Sequence, residues 1–304
     1  MDMEELNRLD TEQRNPATEH IDTLSTEEMV RLINREDHRC AEAVSLVLPE
    51  IARSVDLIEG QLRRGGRLFY AGAGTSGRLG VLDAAECPPT YGVSPDLVVG
   101  LIAGGSGALL KAVEGAEDSA DLGRQDLIDH GFCEKDALVG IAASGRTPYV
   151  IGAMDYAREA GAPVMALVCC RNSEMSRHAD VTMAPVPGPE VVTGSSRMKS
   201  GTCQKLVLNM LSTCVMIKLG KVYGNLMVDV QATNHKLVNR AVRIVRTATG
   251  ADEKEAEEAL SRCGFSCKTA IVMLLLKKDA AEAERLLAES GGRIAQTLQE
   301  NREG

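Results

Sequence analysis

The chain has 304 residues, 44% of them hydrophobic and 25% charged, enough for one large domain or two modest ones. Its net charge of −9 speaks against general binding to nucleic acid or to an anionic membrane surface, and the lack of tryptophan speaks against base-stacking platforms. No apolar run approaches the roughly 18–20 residues of a membrane span.

The first 38 residues are polar and charged, and the opening MDMEELNRLD lacks an apolar signal segment. Ser25 followed by Glu28 reads as a capping box, which predicts a short helix from Glu28 to Asn34. From Cys40 to Arg63 apolar residues recur at three and four: Val44, Val47, Leu48, Ile51, Val55, Ile58 and Leu62. That spacing predicts one amphipathic helix, ended by Gly65-Gly66.

Leu68-Phe69-Tyr70-Ala71 is a short apolar run that predicts a buried parallel strand. A loop of glycines and hydroxyls follows, Gly72-Ala73-Gly74-Thr75-Ser76-Gly77-Arg78, then an apolar stretch from Leu79 to Ala85 and Glu86-Cys87-Pro88-Pro89. Strand, glycine loop and helix start together aim backbone N–H groups and a helix dipole at an anion. A second strand is predicted over 97–103, with a helix from Leu109 to about Glu117. A third strand, Ala137 to Ala142, closes in Ser144-Gly145-Arg146-Thr147-Pro148 and leads to a helix from Tyr149 to Gly161. Pro163 to Cys170 and Asp180 to Ala184 complete the series. Apolar strands alternating with helices predict an α/β fold, a doubly wound and mainly parallel sheet. Ligands of such sheets bind outside the carboxyl ends of the strands, where these glycine loops lie. A long helix is expected from Thr202 to Leu219. Beyond Val228 short helices, about Asp252–Arg262, Cys267–Leu276 and Ala280–Glu289, predict a small helical appendix.

Three places carry candidate chemistry. Gly72 to Gly77 matches the G-x-G-x-x-G of dinucleotide sites. The next strand ends in Ile102-Ala103-Gly104-Gly105, however, with no acid to hold a ribose. Thr75 and Ser76 favour a phosphate or a sugar hydroxyl over a nucleotide or a turn made only for packing. Ser144, Arg146 and Thr147 suit a phosphate monoester; the plainer alternative is Thr147 as an ordinary N-cap ahead of Pro148. Ser195-Ser196, also ahead of a helix, make a third hydroxyl-rich turn.

The acids are the last of these places. Glu114, Glu117 and Asp118 read either as a solvated acidic face or as a source of a base. Glu86, set among apolar residues and two prolines, is the better candidate for a carboxyl kept protonated as an acid. The nine cysteines form no C-x-x-C pair and suggest buried thiols in a reducing cytosol, with no metal site.

In order along the chain, GAGTSGRLGVLDAAECPPTYG, LIAGG, VEGAEDS, GIAASGRTPYV, VVTGSSRMKSGT and KLVLNMLST resemble the N-acetylmuramic acid 6-phosphate etherases. The resemblance covers roughly residues 20–300. It implies a sugar isomerase (SIS) domain of three layers, αβα, over 58–221, with an N-terminal helical segment over 1–57 and a helical region over 222–304. It also implies cleavage of a lactyl ether by elimination and water addition, with Glu86 as acid and Glu117 as base. No cofactor is expected. A cytoplasmic homodimer acting on a small sugar phosphate is expected, with Glu190 and His235 as weak candidates for opening the sugar ring. A non-catalytic sugar-phosphate sensor and an aldose–ketose isomerase are the alternatives.

Overall fold

The computed structural model describes residues 12–111, 113–230 and 235–301. The capping box is present: Ser25 N–H donates to Glu28 Oε2 at 2.8 Å, and Ser25 Oγ accepts from Glu28 N–H at 3.4 Å. It opens α1, Thr26–Ser45, a longer helix than predicted. The long amphipathic helix expected over 40–63 is in fact broken near Leu46-Val47. A new helix, α2, runs over Leu48–Arg63, with Pro49 in its first turn, where a missing N–H is harmless. Ile51, Val55, Ile58 and Leu62 form its buried face.

The sheet comprises β1 Leu68–Gly72, β2 Val98–Ile102, β3 Ala137–Ile141, β4 Val164–Leu167 and β5 Val181–Met183. Its order is β2-β1-β3-β4-β5 and every pairing is parallel. The strand order reverses at β1, so the switch-point crevice lies at the carboxyl ends of β1 and β3. Gly72 pairs with both Ile102 and Ile141, so three strands end level there.

Helices cover both faces. Phe69 and Leu138 join a core with Leu127, Tyr149, Val150 and Met154, contributed by α4, Ala120–Asp129, and α5, Pro148–Glu159. Burial of each large apolar side chain contributes about 1.5–3 kcal/mol. These two helices approach closely because a Cβ on Gly123 would lie 1.8 Å from Tyr149 O, and one on Gly152 would lie 2.0 Å from Ala120 O. Tyr70 turns to the opposite face, where its hydroxyl donates to Asp83 of α3, Gly74–Tyr91.

Among the described residues, no α-helix runs over 109–117 as expected. Positive φ at Gly104, Gly105 and Gly115 breaks the segment into two 3₁₀ turns, Ser106–Leu109 and Ala116–Asp118. The helix there is α4, capped by Ser119 Oγ accepting from Leu122 N–H at 3.3 Å. Helix α6, Lys199–Lys218, follows β5.

Residues up to 85 together with 95–212 form one compact unit; 86–94 and the residues from 213 onward form another. In the second, a small antiparallel hairpin of β6, Val222–Tyr223, and β7, Leu226–Met227, precedes α7 His235–Thr249, α8 Glu253–Arg262, α9 Cys267–Leu276, α10 Ala280–Glu289 and α11 Ile294–Asn301. Their shared core includes Val245, Leu260, Ile271, Ala283 and Leu287. No single helix among the described residues is long and apolar enough to cross a membrane.

Candidate functional site

The β1–α3 turn is as tight as its glycines allow. A Cβ on Gly77 would lie 2.7 Å from Gly72 O and from Ile102 Cγ1. Helix α3 starts at Gly74, so Thr75 and Ser76 sit in its first turn. Ser76 is buried and donates to Gln204 Oε1 of α6 at 3.0 Å, whereas Thr75 is half-buried. The Ser76 hydroxyl therefore ties two helices together.

The β3–α5 turn carries Gly145 at φ +63, packed so closely that a Cβ would lie 2.3 Å from Ser173 Cβ. Thr147 occupies the N-cap position of α5, but its side chain makes no cap hydrogen bond. Its hydroxyl is not committed to the helix as an ordinary cap would be. Ser144, Arg146 and Thr147 are all half-buried.

The third turn differs. Glu190, fully buried, accepts from the N–H groups of Lys199 and Ser200, each at 2.9 Å. Its carboxylate caps α6 from a fully buried position. The start of α6 already has its anion, and the N–H groups of Ser195 and Ser196 donate to Val192 O and Gly194 O, so these two residues have only their hydroxyls to offer. They lie beside Thr75: a Cβ on Gly201 would be 3.7 Å from Ser196 O and 3.4 Å from Thr75 Cγ2.

Behind this turn lies a buried ion pair. Lys199 Nζ stands 2.6 Å from Glu36 Oε2 and donates to Pro187 O at 3.2 Å. Asn15 Nδ2 donates to the same Glu36 oxygen at 2.8 Å and to Pro189 O at 3.3 Å. Thr18 Oγ1 donates to Val191 O at 2.8 Å. Side chains from the N-terminal segment thus hold the stretch leading into the Ser195-Ser196 turn.

Glu117 is exposed and lies in the 3₁₀ turn after Gly115, not at a helix end as expected. It lines a pocket of about 180 Å³ with Glu114, Gly74, Arg78 and Ala103 at the carboxyl edge of β1 and β2. Glu86, in the second unit, is exposed rather than embedded: Cys87 next to it takes the buried position. Helix α3 continues through Pro88 and Pro89 to Tyr91. His235 is exposed at the start of α7.

Asp83 escaped the reading of the sequence. It is buried on α3, accepting from Tyr70 Oη at 3.0 Å and Ser212 Oγ at 3.1 Å. Burial pushes its carboxyl up to about 6, against the opposing pull of those hydrogen bonds and of Lys205. A lone Asp inside the apolar run from Leu79 to Ala85 is the signal that marks it. Among the described residues no group of His, Cys, Asp and Glu could hold a metal ion.

With this geometry in place, comparison with known proteins is decisive. Residues 50–158 match the glucokinase regulatory protein N-terminal SIS domain, residues 125–214 the SIS domain, and residues 224–269 the C-terminal lid domain of glucokinase regulatory protein. An N-acetylmuramic acid 6-phosphate etherase of Aliivibrio fischeri is 62% identical over 97% of this chain and 98% of its own. One from Aeromonas hydrophila is 60% identical over 96% and 98%. The chain belongs to the N-acetylmuramic acid 6-phosphate etherase family. A phosphoheptose isomerase from Neisseria gonorrhoeae, 21% identical, shares the fold with a TM-score of 0.51 over 63% of this chain and 98% of its own. The sheet described above is thus the SIS sheet.

Proposed function

We propose that this chain cleaves the D-lactyl ether of N-acetylmuramate 6-phosphate with water, giving N-acetylglucosamine 6-phosphate and D-lactate in the recycling of cell-wall amino sugars. The observation that carries the reading is the placement of Glu117 in a pocket beside the β1–α3 turn, in a chain whose family is named for this reaction.

The uncommitted Thr147 hydroxyl, Ser144 and Arg146 face the phosphate from the β3–α5 turn, with Thr75 from the neighbouring strand end and Ser195 and Ser196 as further hydroxyl donors. Ser76 acts indirectly, through Gln204. An ether at C3 is a poor leaving group, but the open-chain sugar has an aldehyde that acidifies the C2 proton. Glu117 removes that proton, and Glu86 protonates the departing lactate oxygen. Water then adds at C3 and a proton returns to C2. Each proton transfer supplies roughly a hundred- to ten-thousand-fold, and the phosphate anchors the reacting carbons.

The working form is a homodimer in the cytoplasm. Most apolar residues of α6, Val207, Leu208, Leu211 and Val215 among them, are buried within the chain, and only its end exposes Ile217. The segment that carries Glu117 supports the dimer more strongly, since Leu110 is 96% exposed and Val113 47%. An interface beside the pocket would cover them.

Product analysis in heavy water tests the reading. N-acetylmuramate 6-phosphate should release D-lactate; a ketose would favour the isomerase, and no turnover the sensor. Glu86→Ala should release almost no lactate yet still exchange the C2 proton of N-acetylglucosamine 6-phosphate for deuterium. Glu117→Ala should lose both. Normal exchange in Glu117→Ala would overturn its role as base.

A further inference from the structure

Among the described residues that line the Glu117 pocket, Arg78 is the one cation. It stands on α3 shortly after Thr75 and Ser76. Its Nε donates to Leu109 O at 2.9 Å and its Nη2 to Ala108 O at 2.8 Å. Both carbonyls belong to the 3₁₀ turn of the segment that leads to Glu117. These bonds orient a planar fork that has five N–H donors in all, so the two carbonyls use only part of its capacity.

The pocket already holds two carboxyl groups, Glu114 and Glu117. The substrate proposed above brings another. The lactyl group carries a carboxylate on the very carbon that bears the ether oxygen, so it enters wherever C3 enters. Like charges brought into a small, partly desolvated space repel strongly unless a cation lies between them. Arginine is suited to that place, being always charged and able to grip a carboxylate with two parallel hydrogen bonds.

We propose that Arg78 receives the lactyl carboxylate and thereby selects ethers that end in a carboxylate. The assignment rests on the etherase reading of the pocket. It gives one side chain two tasks: holding the segment that carries Glu117 and recognising the leaving group.

The test compares N-acetylmuramate 6-phosphate with its lactyl amide, which keeps the ether and the phosphate but replaces the carboxylate by an uncharged amide. In the wild type kcat/KM should favour the acid roughly ten- to hundred-fold, the value of a hydrogen bond to a charged group. In Arg78→Met that ratio should fall to near one, and in Arg78→Lys to an intermediate value. A ratio taken within each variant cancels any loss common to both substrates, such as displacement of Glu117. Should Arg78→Met turn over neither compound, the same ratio is read from their calorimetric affinities. An acid-to-amide ratio that survives Arg78→Met overturns the assignment while leaving the etherase reading intact. A wild type that cleaves the ether of neither compound, releasing no lactate from the acid and no lactamide from the amide, overturns both.

Discussion

The Lys199 ammonium lies 2.6 Å from the Glu36 carboxylate, and Lys199 has no exposed surface. Burial of Glu36, 4% exposed, raises its carboxyl, but the hydrogen bonds from Lys199 and Asn15 and the Lys199 charge outweigh it and hold the group below the usual carboxylate value. The pair joins α1 to the start of α6.

Removing one partner leaves the other as an uncompensated buried charge. Lys199→Met should therefore cost about 3–5 kcal/mol of stability, read as a lower urea midpoint. Adding Glu36→Leu should recover part of that loss, since an apolar pair of similar volume is tolerated. A double variant as unstable as the sum of the two single ones would deny the coupling.

Asp83 sets a pH dependence of opposite sign to that of a paired surface acid. Its folded-state pKa is raised, from 3.8 to about 6. Its contribution is therefore fully present below about 4 and is lost as pH rises through about 6. Asp83→Asn cannot ionise and keeps the shape. The variant's stability relative to wild type should rise by about 1–3 kcal/mol between pH 4.5 and 7.5, as each pKa unit is worth about 1.4 kcal/mol. Urea titrations at the two pH values give the answer; a difference independent of pH would mean the carboxyl titrates normally.

The phosphate assignment predicts a split between binding and turnover. Ser144→Ala with Thr147→Ala should raise KM strongly, by about 1.5–3 kcal/mol for each hydrogen bond lost to a charged group. Thr147 makes no cap bond, so its removal should leave the melting temperature of the apo protein nearly unchanged. A large thermal loss with unchanged KM would make the turn structural. The unphosphorylated sugar should be a poor substrate for the wild type.

The strands were legible because each is a short apolar run buried on both faces, as in 68–72 and 137–141. The C-terminal helices were legible because Asp252, Ser266 and Asp279 each mark a start as N-caps. The break before Pro49 was missed because the apolar period continues across it. Over 109–117 a favourable helical pattern is overridden by glycine at positive φ, as at Gly115. At the site, Glu117 and the glycine turns could be named from sequence. The exposure of Glu86, the capping by Glu190 and the carbonyl bonds of Arg78 could not, since each depends on partners distant in the chain.

Helices α4 and α5 also carry a constraint that repacking does not relieve. Gly123 and Gly152 face backbone oxygens, Tyr149 O and Ala120 O, which cannot swing aside as the tip of a side chain can. An alanine at either position therefore shifts a whole helix. Because α5 begins directly after Thr147, that shift reaches the β3–α5 turn, so two glycines far behind Ser144 and Thr147 fix where those hydroxyls stand.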